Sequence, residues 1–189
     1  GEGNPNLSLS DFIAPEDKKI KDYIGAFAVT SGLGVEEECI NFEKNNDDYS
    51  SIMLKAIADR LAESLAEYIH EKVRKEFWGY ARGEELSNQQ LIKEKYVGIR
   101  PAPGYPACPD HSEKFKLFSL LEAENKANIS LTENFAMLPA ASVSGWYFSH
   151  TDSKYFGLGK ITEEQIKSIS KNRNEDINLI KKYYSTNLE

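Results

Sequence analysis

Hydrophobic positions keep a helical period through residues 49–78. Met53, Ile57, Leu61, Leu65, Tyr68, Ile69 and Val73 share one arc, and Ala56, Ala58, Ala62 and Ala66 widen it. The spacing predicts a central, well-buried helix of about thirty residues, with Asp47 or Asp48 as its cap. Upstream, Ile24–Thr30 is a compact apolar run between Asp22 and Ser31-Gly32 and reads as a buried strand. Shorter helices are expected over 36–45, over 88–95 behind a Ser87/Gln90 capping box, and over 111–126 behind an Asp110/Glu113 signature. Residues 142–148 and 155–161 are β-branched or aromatic and flank the polar His150–Ser153, which reads as a hairpin. Two helices close the chain, one opened by Thr162 and Gln165, the other capped by Asn174 and running to Tyr184. Residues 1–10 are polar and expected to be loosely held. Together these predict an α+β fold, an antiparallel sheet flanked by helices, one of them long and central.

One stretch interrupts these periods. Arg100–His111 reads RPAPGYPACPDH, with prolines at 101, 103, 106 and 109. Proline removes a backbone donor, fixes its own φ and pushes the preceding residue out of the helical region, so the segment is a stiff, extended loop. Such a loop loses little entropy on binding and is a good mount for ligand contacts. Arg100 suits a carboxylate, Tyr105 suits stacking, and the carbonyls of Ala102 and Pro103 are available. A surface crossover stiffened for stability is the other reading of the same residues.

The 189 residues allow one domain, and a hydrophobic fraction of 40% with 9 Phe and 10 Tyr supplies its core. A net charge of −7 argues against non-specific nucleic-acid binding. No apolar run approaches the ~18 residues of a membrane span, and the polar start has no signal-peptide character. Two cysteines, Cys39 and Cys108, form no disulfide framework and fit a cytoplasmic protein. Gly1 in place of Met fits a piece of a larger protein. Asp59, Glu63 and His70 share a helical stripe, but they lack metal-ligand spacing, so no metal is expected. No catalytic triad is visible either.

The string YVGIRPAPGYPACPDHSEK resembles the S-adenosylmethionine-binding loop of the activation domain of cobalamin-dependent methionine synthase. DFIAP with DYIGAFAVTSG, residues 47–81, and LTENFAMLPAASVSGWYFSHTDSKYF resemble the same domain in the same order. The resemblance implies a reactivation module. When cob(I)alamin is oxidised to inactive cob(II)alamin, the domain presents S-adenosylmethionine, whose methyl passes to cobalt as an electron arrives from flavodoxin or another reductase. It implies a methyltransferase role as part of the larger enzyme, not turnover of methyltetrahydrofolate and homocysteine by this domain alone.

The resemblance also implies a ligand site of Arg100, Ala102, Tyr105, Tyr155, Glu63 and Glu94, with Tyr105 and His111 facing cobalamin. Phe156 stands where a second tyrosine can occur. Cobalamin would be bound by a separate domain of the same enzyme, since the D-x-H-x-x-G signature is absent from this sequence. The family's domain begins upstream of DFIAP and includes an Asp that touches the ligand amine. This chain, a single domain over 1–189, is therefore expected to be the C-terminal part. A binding-only module that docks on a corrinoid protein without delivering methyl is the alternative.

Overall fold

The computed structural model describes residues 7–188. Two antiparallel ribbons and seven helices of four or more residues' α-geometry make up the described chain. Strand β1 (Gly25–Thr30) leads into α1 (Val35–Lys44) and the long α2 (Asp48–Lys72). Helix α3 (Asn88–Ile92) precedes the proline loop. Helices α4 (Glu113–Leu121) and α5 (Ala123–Ala127) follow it. Strands β2 (Ser130–Leu131) and β3 (Met137–Leu138) pair with each other, and β4 (Ser142–Tyr147) returns to pair with β1. Helices α6 (Glu163–Arg173) and α7 (Ile177–Tyr183) close the chain. The expected α+β class stands.

The β1–β4 ribbon is the middle layer, with Phe27 opposite Gly145 and Gly25 opposite Tyr147. On one face Phe27 and Tyr147 stack at 4.8 Å and pack on Ala66 and Val73 of the α2 segment. On the other face Ala26, Ala28 and Trp146 meet Leu117, Phe118, Ala123 and Ile129. Two side clusters, Phe12 with Ile99 and Phe148, and Ile161 with Ile166, Ile180 and Tyr184, pin down the entry segment and the last two helices.

Helix α2 departs from its expected burial. The buried positions are Ser51 and, seven residues on, a stripe at intervals of four, Ala58, Ala62, Ala66 and His70, which brings the helix axis close to the ribbon. The large apolar side chains lie outside it, with Ile57 50% and Leu61 56% exposed and Met53 and Tyr68 also exposed. Asp47 is the cap, accepting from the Ser50 amide at 3.0 Å. The helix also ends earlier than expected, widening at Val73–Phe77 into one π turn. That turn carries Arg74 into the interior and leaves Phe77 in solvent.

Four other expectations are corrected. Residues 155–160 form no strand, so there is no hairpin, although the turn exists as Ser153 N–H donating to His150 O at 3.0 Å. The edge of β4 that a return strand needs is already taken. Phe148 exchanges backbone bonds with Ile99, and Trp146 N–H donates to Pro101 O at 2.9 Å. Helix 111–126 breaks in two at Glu122, which has a left-handed φ of 52°. Asp110 and Glu113 form no capping box. Asp110 accepts from Ser112 N–H at 2.8 Å and pairs with Arg173, and Glu113 meets the same guanidinium at 2.6 Å. Asn174 ends α6 in the left-handed region, and Asp176 is the residue that caps α7.

The expected looseness of 1–10 lies outside the described residues up to 6. From Ser8 onward the chain is ordered by a capping box into a 3-10 turn that buries Phe12.

Candidate functional site

The proline loop lies along the ribbon because position 145 is glycine. A Cβ there would sit 2.8 Å from Pro101 O and 2.9 Å from the Phe27 ring. Within the loop, Tyr105 N–H donates to Ala102 O at 3.2 Å and Gly104 N–H to Cys108 O at 2.7 Å. Gly104 takes φ +97°, and a Cβ on it would strike the His111 ring at 2.2 Å, so glycine lets the loop close onto that imidazole.

Between this loop, α2 and the 155–157 segment is a cleft of about 510 Å³. All six residues expected to bind ligand line it: Glu63, Glu94, Arg100, Ala102, Tyr105 and Tyr155. Phe156 lines it too. Its size is within the usual range for small-molecule sites, about 300–1,000 Å³. Tyr105 also borders a second cavity of about 770 Å³, shared with His111, Phe135 and the end of α7. One exposed phenol thus stands between the two spaces.

Arg100 is more constrained than its sequence context suggests. One Nη2 hydrogen goes to Glu67 Oε1, and Nη1 donates to His70 Nδ1 at 3.2 Å and to Tyr96 Oη at 3.3 Å. Its backbone N–H donates to the Tyr155 hydroxyl at 3.0 Å, which also shares a bond with Tyr96 at 3.2 Å. The Tyr155 hydroxyl is therefore occupied internally, and what it offers the cleft is its ring. Among the described residues, Arg100 Nε–H has no acceptor, and Nη2 has one acceptor, Glu67, for its two hydrogens. Nε and Nη2 form the edge through which an arginine grips a carboxylate.

Behind Arg100 is a buried polar cluster that sequence reasoning missed. His70 is fully buried, stacked on Tyr147 and edge-on to Tyr96. Arg74, also fully buried, lies 4.5 Å from the Tyr96 ring centroid and is held by Glu84. Burial first, then the charges of Arg74 and Arg100, push the His70 pKa down to about 2, so the imidazole is neutral at physiological pH. Since Nδ1 accepts from Arg100, the proton is on Nε2, 3.4 Å from the Tyr80 hydroxyl. Glu67 and His70 sit four and seven residues after Glu63, on the same helical stripe; that spacing was the available signal.

A pH dependence follows. The folded pKa of His70 lies below that of the unfolded chain, so the unfolded state takes up the proton first. The stabilisation is complete above about pH 6.5 and is lost as the pH falls, at about 1.4 kcal/mol per unit. Urea denaturation between pH 7 and pH 5 should show this loss in the wild type and a flatter profile in His70→Asn.

His111 is exposed at the second cavity, and Lys114 Nζ lies 3.1 Å from its Nδ1 while also donating to Phe135 O at 3.1 Å. Partial burial first, then the Lys114 charge, lowers the His111 pKa, leaving a neutral ring with Nε2–H directed away from Lys114. The neutrality does not come from a helix end, because α4 begins only at Glu113 and its start is already met by Asp110 and Glu113. Cys39 and Cys108 are both free, and burial pushes the Cys108 thiol up to about 12. No group of three potential metal ligands occurs among the described residues, and none of their helices is long and apolar enough to cross a membrane.

Comparison with known proteins decides the parentage. The vitamin B12 dependent methionine synthase activation domain family matches residues 1–174. The chain belongs to that family. A crystal structure of the MetH reactivation domain bound to AdoHcy is similar over 100% of this chain, at 52% identity and a TM-score of 0.95. The present chain spans 58% of the length of that relative's chain.

Proposed function

We propose that this activation domain binds S-adenosylmethionine in the 510 Å³ cleft and presents its methyl group for the reactivation of cobalamin. The carrying observation is the Nε–H of Arg100, which has no acceptor among the described residues, in a cleft also lined by two carboxylates. The AdoHcy-bound relative supports the same reading. Arg100 takes the amino-acid carboxylate. Glu63 and Glu94 favour the ammonium and sulfonium charges, and Tyr105 and Tyr155 lend ring faces that attract a sulfonium cation. Ala102 contributes backbone contacts. Loss of the methyl removes the sulfonium charge, so the same carboxylates hold the product less tightly than the donor.

The protein residues supply no nucleophile or general base in this reading. They orient the donor so that its methyl lies within reach of the acceptor. Tyr105 and His111 form the face toward cobalamin. A broad cavity with an exposed phenol and an imidazole N–H fits a docking surface, and no metal ligand is required of it. Cobalamin, held by a separate domain of the same enzyme, supplies the metal that takes the methyl, and flavodoxin or another cytoplasmic reductase supplies the electron. Residues 1–189 act as one unit within the larger methyltransferase.

Isothermal titration of the 189-residue chain with S-adenosylmethionine tests the reading. Saturable one-to-one binding is expected. Undetectable binding at millimolar ligand favours a module that docks on a corrinoid protein without delivering methyl.

A further inference from the structure

Helix α2 buries alanine at positions 58, 62 and 66, and then histidine at 70. The imidazole sits among Tyr147, Tyr96 and Tyr80, where an aliphatic or aromatic residue would fill the space at no desolvation cost. A polar group in such a place needs a partner. Its partner is the Arg100 guanidinium, through Nδ1 at 3.2 Å. A guanidinium has only donors, so it can meet an imidazole nitrogen only when that nitrogen is an unprotonated acceptor.

We propose that His70 is a positioning residue for ligand binding: as a neutral acceptor, with Tyr96 and Glu67, it fixes the plane of the Arg100 guanidinium and leaves its Nε–H edge open to a ligand carboxylate. This rests on the reading of Arg100 as the carboxylate contact. These three acceptors, two on Nη1 and one on Nη2, oppose rotation about the last side-chain bonds. Tyr96 comes from the segment before the loop, and Glu67 and His70 come from α2, so helix and loop jointly set the orientation. The charged groups facing His70 are Arg74, in the π turn that continues α2, and Arg100 on the loop, both cationic, and both oppose its protonation.

The test uses the full 189-residue chain with two probes. S-adenosylhomocysteine carries the amino-acid end; 5′-methylthioadenosine lacks it. His70→Leu, which fills the space without an acceptor, should weaken S-adenosylhomocysteine about tenfold and leave methylthioadenosine within about twofold. His70→Asn, which restores an acceptor near the Nδ1 position, should recover most of the loss. Equal weakening of both probes, no weakening, or an Asn variant no better than Leu overturns the proposal.

If the wild type does not distinguish the two probes, the carboxylate reading of Arg100 has failed instead. Nitrogen-15 spectra of His70 then decide the remaining claim. A neutral ring protonated on Nε2 from pH 5 to pH 8 is expected. A ring that titrates in that range, or that carries its proton on Nδ1, overturns it.

Discussion

Replacing Arg100 with alanine should lower the affinity for S-adenosylhomocysteine by about a hundredfold or more, while 5′-methylthioadenosine binding changes little. Removing one member of a desolvated charge pair costs about 2–5 kcal/mol, and each 1.4 kcal/mol is a factor of ten. The Arg100 side chain is only 15% exposed, so its pairing with a ligand carboxylate is poorly screened by water. Its loss also strands Glu67, His70 and Tyr96 without their common donor. Arg100→Lys should recover little of the affinity. A single ammonium cannot satisfy His70, Tyr96 and Glu67 and still present a donor to the ligand. Titration calorimetry with both ligands reads the effect, and a loss of less than about threefold for Arg100→Ala would rule out the guanidinium as the anchor.

The largest stability effect should come from Glu84→Ala. Glu84 takes the Arg74 Nε–H through both oxygens, at 3.0 and 2.9 Å, and Nη2 at 2.7 Å. Arg74 is fully buried and its Nη1 has no partner among the described residues, so the whole charge is compensated from one side. Leaving a buried charge unpaired costs about 3–5 kcal/mol, which urea denaturation resolves easily. Lys55→Ala, which cuts a solvent-exposed pair with Glu43, is the control and should barely shift the midpoint. Glu84→Ala should also weaken ligand binding, because Arg74 supports the ring of Tyr96 and Tyr96 supports Arg100. An unchanged midpoint would mean that Arg74 finds water or another acceptor, and that the pair contributes nothing to the fold.

Much of this was legible in the sequence because the deciding chemistry is local. Prolines at 101, 103, 106 and 109 can only give a stiff loop, and Ser87/Gln90 and Thr162/Gln165 form the capping boxes their spacing predicts. The six expected ligand residues line one cleft. What failed depends on partners distant in sequence. Both arcs of α2 are apolar, and periodicity cannot tell which of them faces inward. Alanine was chosen inside because the ribbon lies close, leaving Ile57 and Leu61 outside. The segment 155–161 has strand-like composition, but Ile99–Pro101 already occupies the edge it would need. Glu67 was overlooked although it completes the stripe from Glu63 to His70.

Two of the partners that orient the Arg100 guanidinium, His70 and Glu67, are 30 and 33 residues away along the chain, and Tyr155, which holds its backbone N–H, is 55 away. Recognition is therefore a property of the finished tertiary structure: a synthetic dodecapeptide RPAPGYPACPDH would carry every loop residue and none of the discrimination. By linkage, anything captured in the cleft must also raise the melting temperature of the entire domain.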